Sequence, residues 1–196
     1  MDVWFATLIP GTWDTDTEIH REWELISAAR KDPQAFAPLY ESYLPRINRY
    51  IRTRVSSDED AADVTQQVFL NALQALPRYR FKGIPFSAWL FRIAQLTLKQ
   101  KRRKDKSSVS WDLLPVESYL EGELDPEDIV LQQEGLQRLR RLLARLSPEK
   151  RDLLALRFAA GLSSSEIAAV VGKNTEAVKK QLSRIIHTLK EEYHDA

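Results

Sequence analysis

The residues whose types and spacing point most directly to chemistry lie near the C-terminus: Lys173, Asn174, Thr175, Glu176, Lys179, Lys180, Ser183 and Arg184. Lys and Arg in such a set meet phosphates or guanine edges, and Asn, Ser and Thr donate to backbone or base alike. Val178, Leu182, Ile185 and Leu189 recur among them every three or four residues. A helix would turn these four inward and present the polar set to a duplex. The competing reading is a helical hairpin with a solvated basic face.

A second set interleaves cations with aromatics: Arg78, Tyr79, Arg80, Phe81 and Lys82, then Trp89 and Arg92, then Lys99, Arg102 and Arg103. Single-stranded nucleic acid suits this mixture, because phosphates need positive charge and unpaired bases need flat faces. Tyr79 and Phe81 fall in an expected loop and are better placed to stack than Phe86 or Trp89, which share an apolar stripe with Leu90 and Ile93. No enzyme site assembles. His20, His187 and His194 are far apart, no Gly-rich phosphate loop occurs, and the carboxylates scatter. With no cysteine, disulfides, thiolate nucleophiles and Cys-ligated metals are excluded, and neither a cofactor nor a metal is expected.

Positioning these sets requires helices. Ala, Leu, Arg, Glu and Gln recur at spacings of three and four, Gly is scarce, and no strand pattern appears. Pro33 opens a helix carrying Phe36, Leu39, Tyr43 and Ile47. Ser57 caps a helix with an acidic first turn, Asp58-Glu59-Asp60, which Pro77 ends. A helix from about Phe86 to Lys104 turns basic toward its end. Ser147-Pro148-Glu149 starts another that stops at Gly161. Ser163 and Glu166 fit a capping box, and Gly172 then allows the tight turn of a helix-turn-helix whose second helix Asn174 caps.

The fold expected is all-α: two small helical domains joined by a flexible acidic linker. An acidic extension would occupy residues 1–18, the first domain 19–106, the linker 107–128 and the second domain 129–196. Between Trp111 and Asp128 there are seven carboxylates and no Lys or Arg, so a net charge of +1 hides segregation along the chain. Trp4, Phe5 and Trp13 raise two readings of the extension, an acidic cover over a DNA-binding surface or a free tail. No basic n-region precedes the apolar start, and no run approaches the roughly 20 apolar residues of a membrane span. A cytoplasmic protein without membrane contact is expected.

Several of these stretches, in order, resemble the extracytoplasmic-function group of the sigma-70 family. Asp60-Ala-Ala-Asp63-Val-Thr-Gln66-Gln67-Val-Phe69-Leu70 resembles the family's polymerase-gripping helix. Phe86-Ser-Ala-Trp89-Leu90-Phe-Arg92-Ile93-Ala94 resembles the helix that engages the melted -10 element. Leu146 to Arg151, Leu156-Arg157-Phe158, Gly161-Leu162-Ser163 and Glu166-Ile167-Ala168 resemble the domain that reads the -35 element. The chain departs from the family pattern at Gln67, Gln95, Leu96, Gln100, Gln181 and Ile186.

The resemblance implies a non-catalytic sigma factor that directs promoter recognition, DNA melting and transcription initiation. Its partners would be the β and β′ subunits of core RNA polymerase, gripped by Asp60, Asp63, Gln66, Gln67 and Asn71, and promoter DNA. The cation and aromatic set would serve the -10 element and the C-terminal set the -35 element. It leaves open an anti-sigma factor, and whether the acidic linker threads the polymerase channel that carries nascent RNA or is a plain tether. The rival is a stand-alone helix-turn-helix regulator, or a sigma-related adaptor, that never joins the polymerase.

Overall fold

The computed structural model describes residues 15–80, 84–105 and 126–194, and these form helices and turns with no strand among them. The first domain holds α1 (Thr15–Ala29), α2 (Ala37–Arg52), α3 (Asp58–Ala75) and α4 (Phe86–Asp105). The second holds α5 (Pro126–Arg145), α6 (Pro148–Leu154), α7 (Ser164–Val171) and α8 (Thr175–His194). The first described helix begins at Thr15, and Tyr43 Oη donates to Glu22, tying α1 to α2.

Each boundary has a local cause. Asp32 Oδ1 accepts from Gln34 N at 2.9 Å, and Pro33 sits at the start of a 3-10 turn that leads into α2. Ser57 and Ser147 accept from the backbone N–H three residues on, supplying acceptors for two donors that a helix start leaves unpaired. Ser163 and Glu166 complete a capping box on α7. Gly161 (φ 65) and Gly172 (φ 69) take left-handed backbone at the two helix ends, where a β-carbon would be strained.

Aromatic rings fill much of the first core. Tyr40 meets Phe69 at 4.6 Å, Tyr43 meets Phe86 at 5.5 Å and Tyr50 meets Phe91 at 5.4 Å, all edge to face. These join α2 to α3 and α4 over Leu39, Ile47, Val68, Leu90 and Ala94, all buried. The second core is aliphatic: Leu153, Leu156, Leu162, Ile167, Val178, Leu182 and Ile185. Gly135 of α5 faces α8, and a β-carbon there would stand 2.8 Å from Tyr193 Oη, which would have to swing aside.

The two cores are continuous. After α6 the chain makes a π-helical turn, Ala155–Ala159, before Gly161 ends it. This leaves the carbonyls of Ala159, Ala160 and Gly161 facing α2 of the first domain, where Arg49 reaches the first (3.2 Å) and Arg46 the other two (2.8 and 3.4 Å). A guanidinium at a helix C-terminus satisfies orphan acceptors and meets the negative end of the dipole. No helix among the described residues is long and apolar enough to cross a membrane.

Candidate nucleic-acid interface

The turn between α7 and α8 sets which face of α8 is exposed. Gly172 N–H closes on Ala168 O, Lys173 N–H also reaches Ala168 O at 3.0 Å, and Asn174 Oδ1 caps α8 by accepting from Glu176 N–H at 2.8 Å. Val178, Leu182 and Ile185 are then buried, and the other face is exposed from Lys173 to Arg184: Lys173, Asn174, Glu176, Lys179, Lys180 and Ser183 all lie open, with Thr175 half-buried. Glu176 holds Lys179 at 2.8 Å, and Lys173 Nζ donates to Gln181 at 3.2 Å. Part of the cationic charge is therefore partnered within the chain.

In the first domain, Arg78, Tyr79, Arg80, Ile84, Trp89 and Arg92 line a cleft of about 280 Å³. Five of these, all but Ile84, were expected from the sequence to hold a melted strand and do converge here, but the expected exposure of Tyr79 is a correction. It lies outside the helices but is buried rather than open for stacking, with its ring 5.6 Å from Phe86 and 4.9 Å from Trp89 and its Oη donating to Ile84 O at 3.1 Å. Burial, aided by the charge of Glu22, pushes its phenol up to about 12, so it stays neutral. Half-buried Trp89 is the ring left on the cleft wall. Phe81 and Lys82 lie outside the described residues, as do residues 1–14 and 106–125.

Arg78, Arg80, Lys99, Arg102 and Arg103 are exposed. Arg92 is not open: its guanidinium donates to the carbonyls of Ala169 and of Val170 (3.3 Å) at the end of α7. Ser87, five residues earlier on α4, donates to Glu166. One turn later, Gln95 Nε2 donates to Asp152 Oδ2 at 2.9 Å. Asp152 also accepts from Tyr50 Oη at 2.9 Å and from Arg54. Burial foremost, then Asp152, raises the Tyr50 phenol, so it remains a donor.

The outer face of α3 carries Asp63, Gln66 and Gln67, all exposed, around Leu70 at 53% exposure. Asp60 and Asn71 are partly committed to α4. Lys101 Nζ lies 2.6 Å from Asp60, and its bond holds the Asp60 carboxyl below the usual carboxylate range. Asn71 donates to Thr97 at 3.0 Å and accepts from Gln67 at 2.9 Å. The sequence reading missed Leu70 as part of this face, though it lies off the Val64, Val68, Ala72 stripe. It also missed Arg46, Arg49, Arg54 and Asp152, whose signal was absent because their partners are distant in sequence. Among the described residues no group of His, Asp or Glu gathers as a metal would require.

Comparison with known proteins assigns both halves. A family model of sigma-70 region 2 matches residues 39–108, and one of sigma-70 region 4 matches residues 136–189. The chain is 33% identical to the ECF RNA polymerase sigma factor BldN of Streptomyces coelicolor over 89% of its own length and 66% of that protein, slightly under two thirds. It is 33% identical to the ECF sigma factor SigD of Mycobacterium tuberculosis over 84% of its length and 80% of SigD. Two solved structures share the fold. CnrH in complex with the cytosolic domain of CnrY matches with a TM-score of 0.60 at 24% identity, covering 85% of this chain and 93% of that one. RpoE of Bartonella quintana, in complex with the anti-sigma factor NepR, matches with a TM-score of 0.57 at 24% identity over 80% and 95%. With both regions in order on an all-helical chain, the protein belongs to the extracytoplasmic-function group of the sigma-70 family.

Proposed function

We propose that this chain directs promoter recognition, melting and transcription initiation as a subunit of cytoplasmic bacterial RNA polymerase, itself performing no covalent chemistry. The outer face of α3, Asp63, Gln66, Gln67 and Leu70 with Asp60 and Asn71 at its edge, grips the core enzyme. The cleft walled by Trp89, Arg78 and Arg80 receives a base of the melted -10 strand, with Lys99, Arg102 and Arg103 along its backbone. α8 enters the major groove of the -35 duplex, Lys179 and Lys180 on phosphates and Arg184 toward base edges. One observation supports this reading: an exposed cationic helix face and a cation-lined, ring-walled cleft occur on two domains of one chain. Binding that favours the open promoter offsets the few kcal/mol per step, about, that unstacking costs.

The test is assembly. Tagged chain should retain core polymerase from purified components, and the assembled enzyme should initiate from a cognate promoter isolated by selection from random duplexes. Asp63→Lys should weaken retention while leaving the helical circular dichroism unchanged. A chain that binds duplex but never retains core would instead be a stand-alone regulator. An anti-sigma partner, as NepR is to RpoE, would compete with core in the same assay.

A further inference from the structure

Helix α4 forms one wall of the ring-lined cleft, and its open face continues well past that cleft. Trp89, Ile93, Leu96, Gln100 and Arg103 follow one another at spacings of four and three, so they share one face of the helix. Trp89 and Ile93 are half-buried, whereas Leu96, Gln100 and Arg103 are exposed, with exposed Lys99 beside them. On the other side of α4, Leu90, Phe91, Ala94 and Leu98 are buried in the core.

Leu96 is the outlier on that open face. At 60% exposure it is the most open of the large apolar side chains among the described residues. A lone exposed leucine would be ordinary. This one is not alone, because Trp89 and Ile93 carry an apolar strip from the cleft to it. The strip is bracketed by cations, Arg78 and Arg80 at the cleft and Lys99 and Arg103 beyond Leu96. Between Phe86 and Lys104 the helix has no Asp or Glu. An apolar strip among cations without a carboxylate suits a polyanion that carries flat, partly apolar groups, which is what an unpaired strand is. The strip begins where the cleft receives a base and runs beside the cations that follow the same strand, so that strand is its occupant.

Leucine has neither donor nor acceptor, so it reads no base edge by hydrogen bonding. It can meet the C5 methyl of thymine, an apolar group that the other three DNA bases lack. Leu96 lies seven residues beyond Trp89, or about 10 Å along the helix, against a step of about 3.4 Å between stacked nucleotides. The two side chains therefore meet different nucleotides. We propose that Leu96 is a specificity residue, seating the methyl group of a thymine in the melted strand beyond the base held in the cleft. This rests on the function proposed above and adds a preference for thymine at one unpaired position. Neither phosphate-binding cations nor a stacking ring supplies such a preference.

The experiment uses the polymerase assembled from this chain and core enzyme, on the promoter isolated by selection from random duplexes. In a fluorescein-labelled copy of its melted strand, each thymidine is replaced in turn by deoxyuridine, which lacks only the methyl. At one position the replacement should weaken binding by about fourfold, as expected for one buried methyl. Leu96→Ala should bind the two strands equally at that position. Leu96→Met, which keeps an apolar contact, should retain most of the difference. The side chain is exposed, so neither variant empties the core, and both should retain core polymerase as the wild type does. A thymidine preference that survives Leu96→Ala, or a melted strand in which no methyl matters, overturns the proposal. Loss of core retention in Leu96→Ala overturns it as well, by making the leucine a protein contact. A wild type that neither retains core nor initiates fails the sigma reading and this one with it, whereas intact initiation without a thymidine preference fails the Leu96 reading alone.

Discussion

Replacing Glu166 by Ala removes two interactions that can be measured apart. One carboxylate oxygen accepts from Ser163 N–H at 2.7 Å and, with Ser163 Oγ accepting from Glu166 N–H at 3.2 Å, forms the capping box of α7. The other accepts from Ser87 Oγ in the opposite domain, and Ser87 is 2% exposed. Loss of the cap alone should cost about 1 kcal/mol. Loss of a bond to a charged acceptor, with the buried hydroxyl left unpaired, adds about 1.5–3 kcal/mol. Glu166→Ala should therefore cost about 2.5–4 kcal/mol in total. In a Ser87→Ala background the same change should cost only the cap. Urea unfolding of the four proteins, followed by circular dichroism, gives a coupling energy expected at about 1.5 kcal/mol or more. Additivity within about 0.3–0.5 kcal/mol would show that the two side chains do not meet, and would refute the contact between the domains at this point.

Lys180→Gln should weaken duplex binding uniformly across sequences and lower the salt slope by about 0.9, so that a fourfold rise in salt costs the wild type about 3.5-fold more affinity than the variant. Gly172→Ala meets no atom within 4 Å but keeps a left-handed φ of 69°, and should lower stability by about 1 kcal/mol in a urea titration. Asp60 has a folded-state pKa below its unfolded value, so its pairing with Lys101 stabilises above about pH 4 and is lost as pH falls through the depressed folded value. Lys101→Met should raise the acid-unfolding midpoint slightly, since a partly exposed pair contributes only about 0.2–1 kcal/mol. An unchanged midpoint would mean the pair is solvated away.

Helix ends were the most legible feature of the sequence. Ser57, Ser147, Ser163 with Glu166, Asn174 and Gly172 each carry a local chemistry that completes itself within a few residues, and each sits where its type requires. The outward polar face of α8 was legible for the same reason, since the apolar stripe beneath it fixes its rotation. Tyr79 does lie outside the helices, as a Pro and two Arg around an aromatic suggest, but its exposure was misread, because it is buried. The ring instead has Phe86 and Trp89 within reach once α4 folds back, which spacing along the chain does not reveal. The seam between the two domains was illegible in another way. Arg46, Arg49 and Arg92 read as ordinary surface cations, and their acceptors are peptide oxygens, which every residue has.

That last point reaches past the present chain. The second-domain side of the seam at the π-helical turn, and again at the end of α7, is built from main chain. A surface of peptide oxygens is unaffected by point mutation as long as the helix end keeps its shape, so drift in the side chains of the second domain leaves it intact. Among the polar contacts named, side-chain change reaches the seam at Asp152, at Glu166 and among the first-domain donors. Arg92 alone among those arginines also lines the ring-walled cleft, so substitution at Arg92 changes both places at once, whereas substitution at Arg46, Arg49, Arg54 or Asp152 changes the inter-domain contact alone.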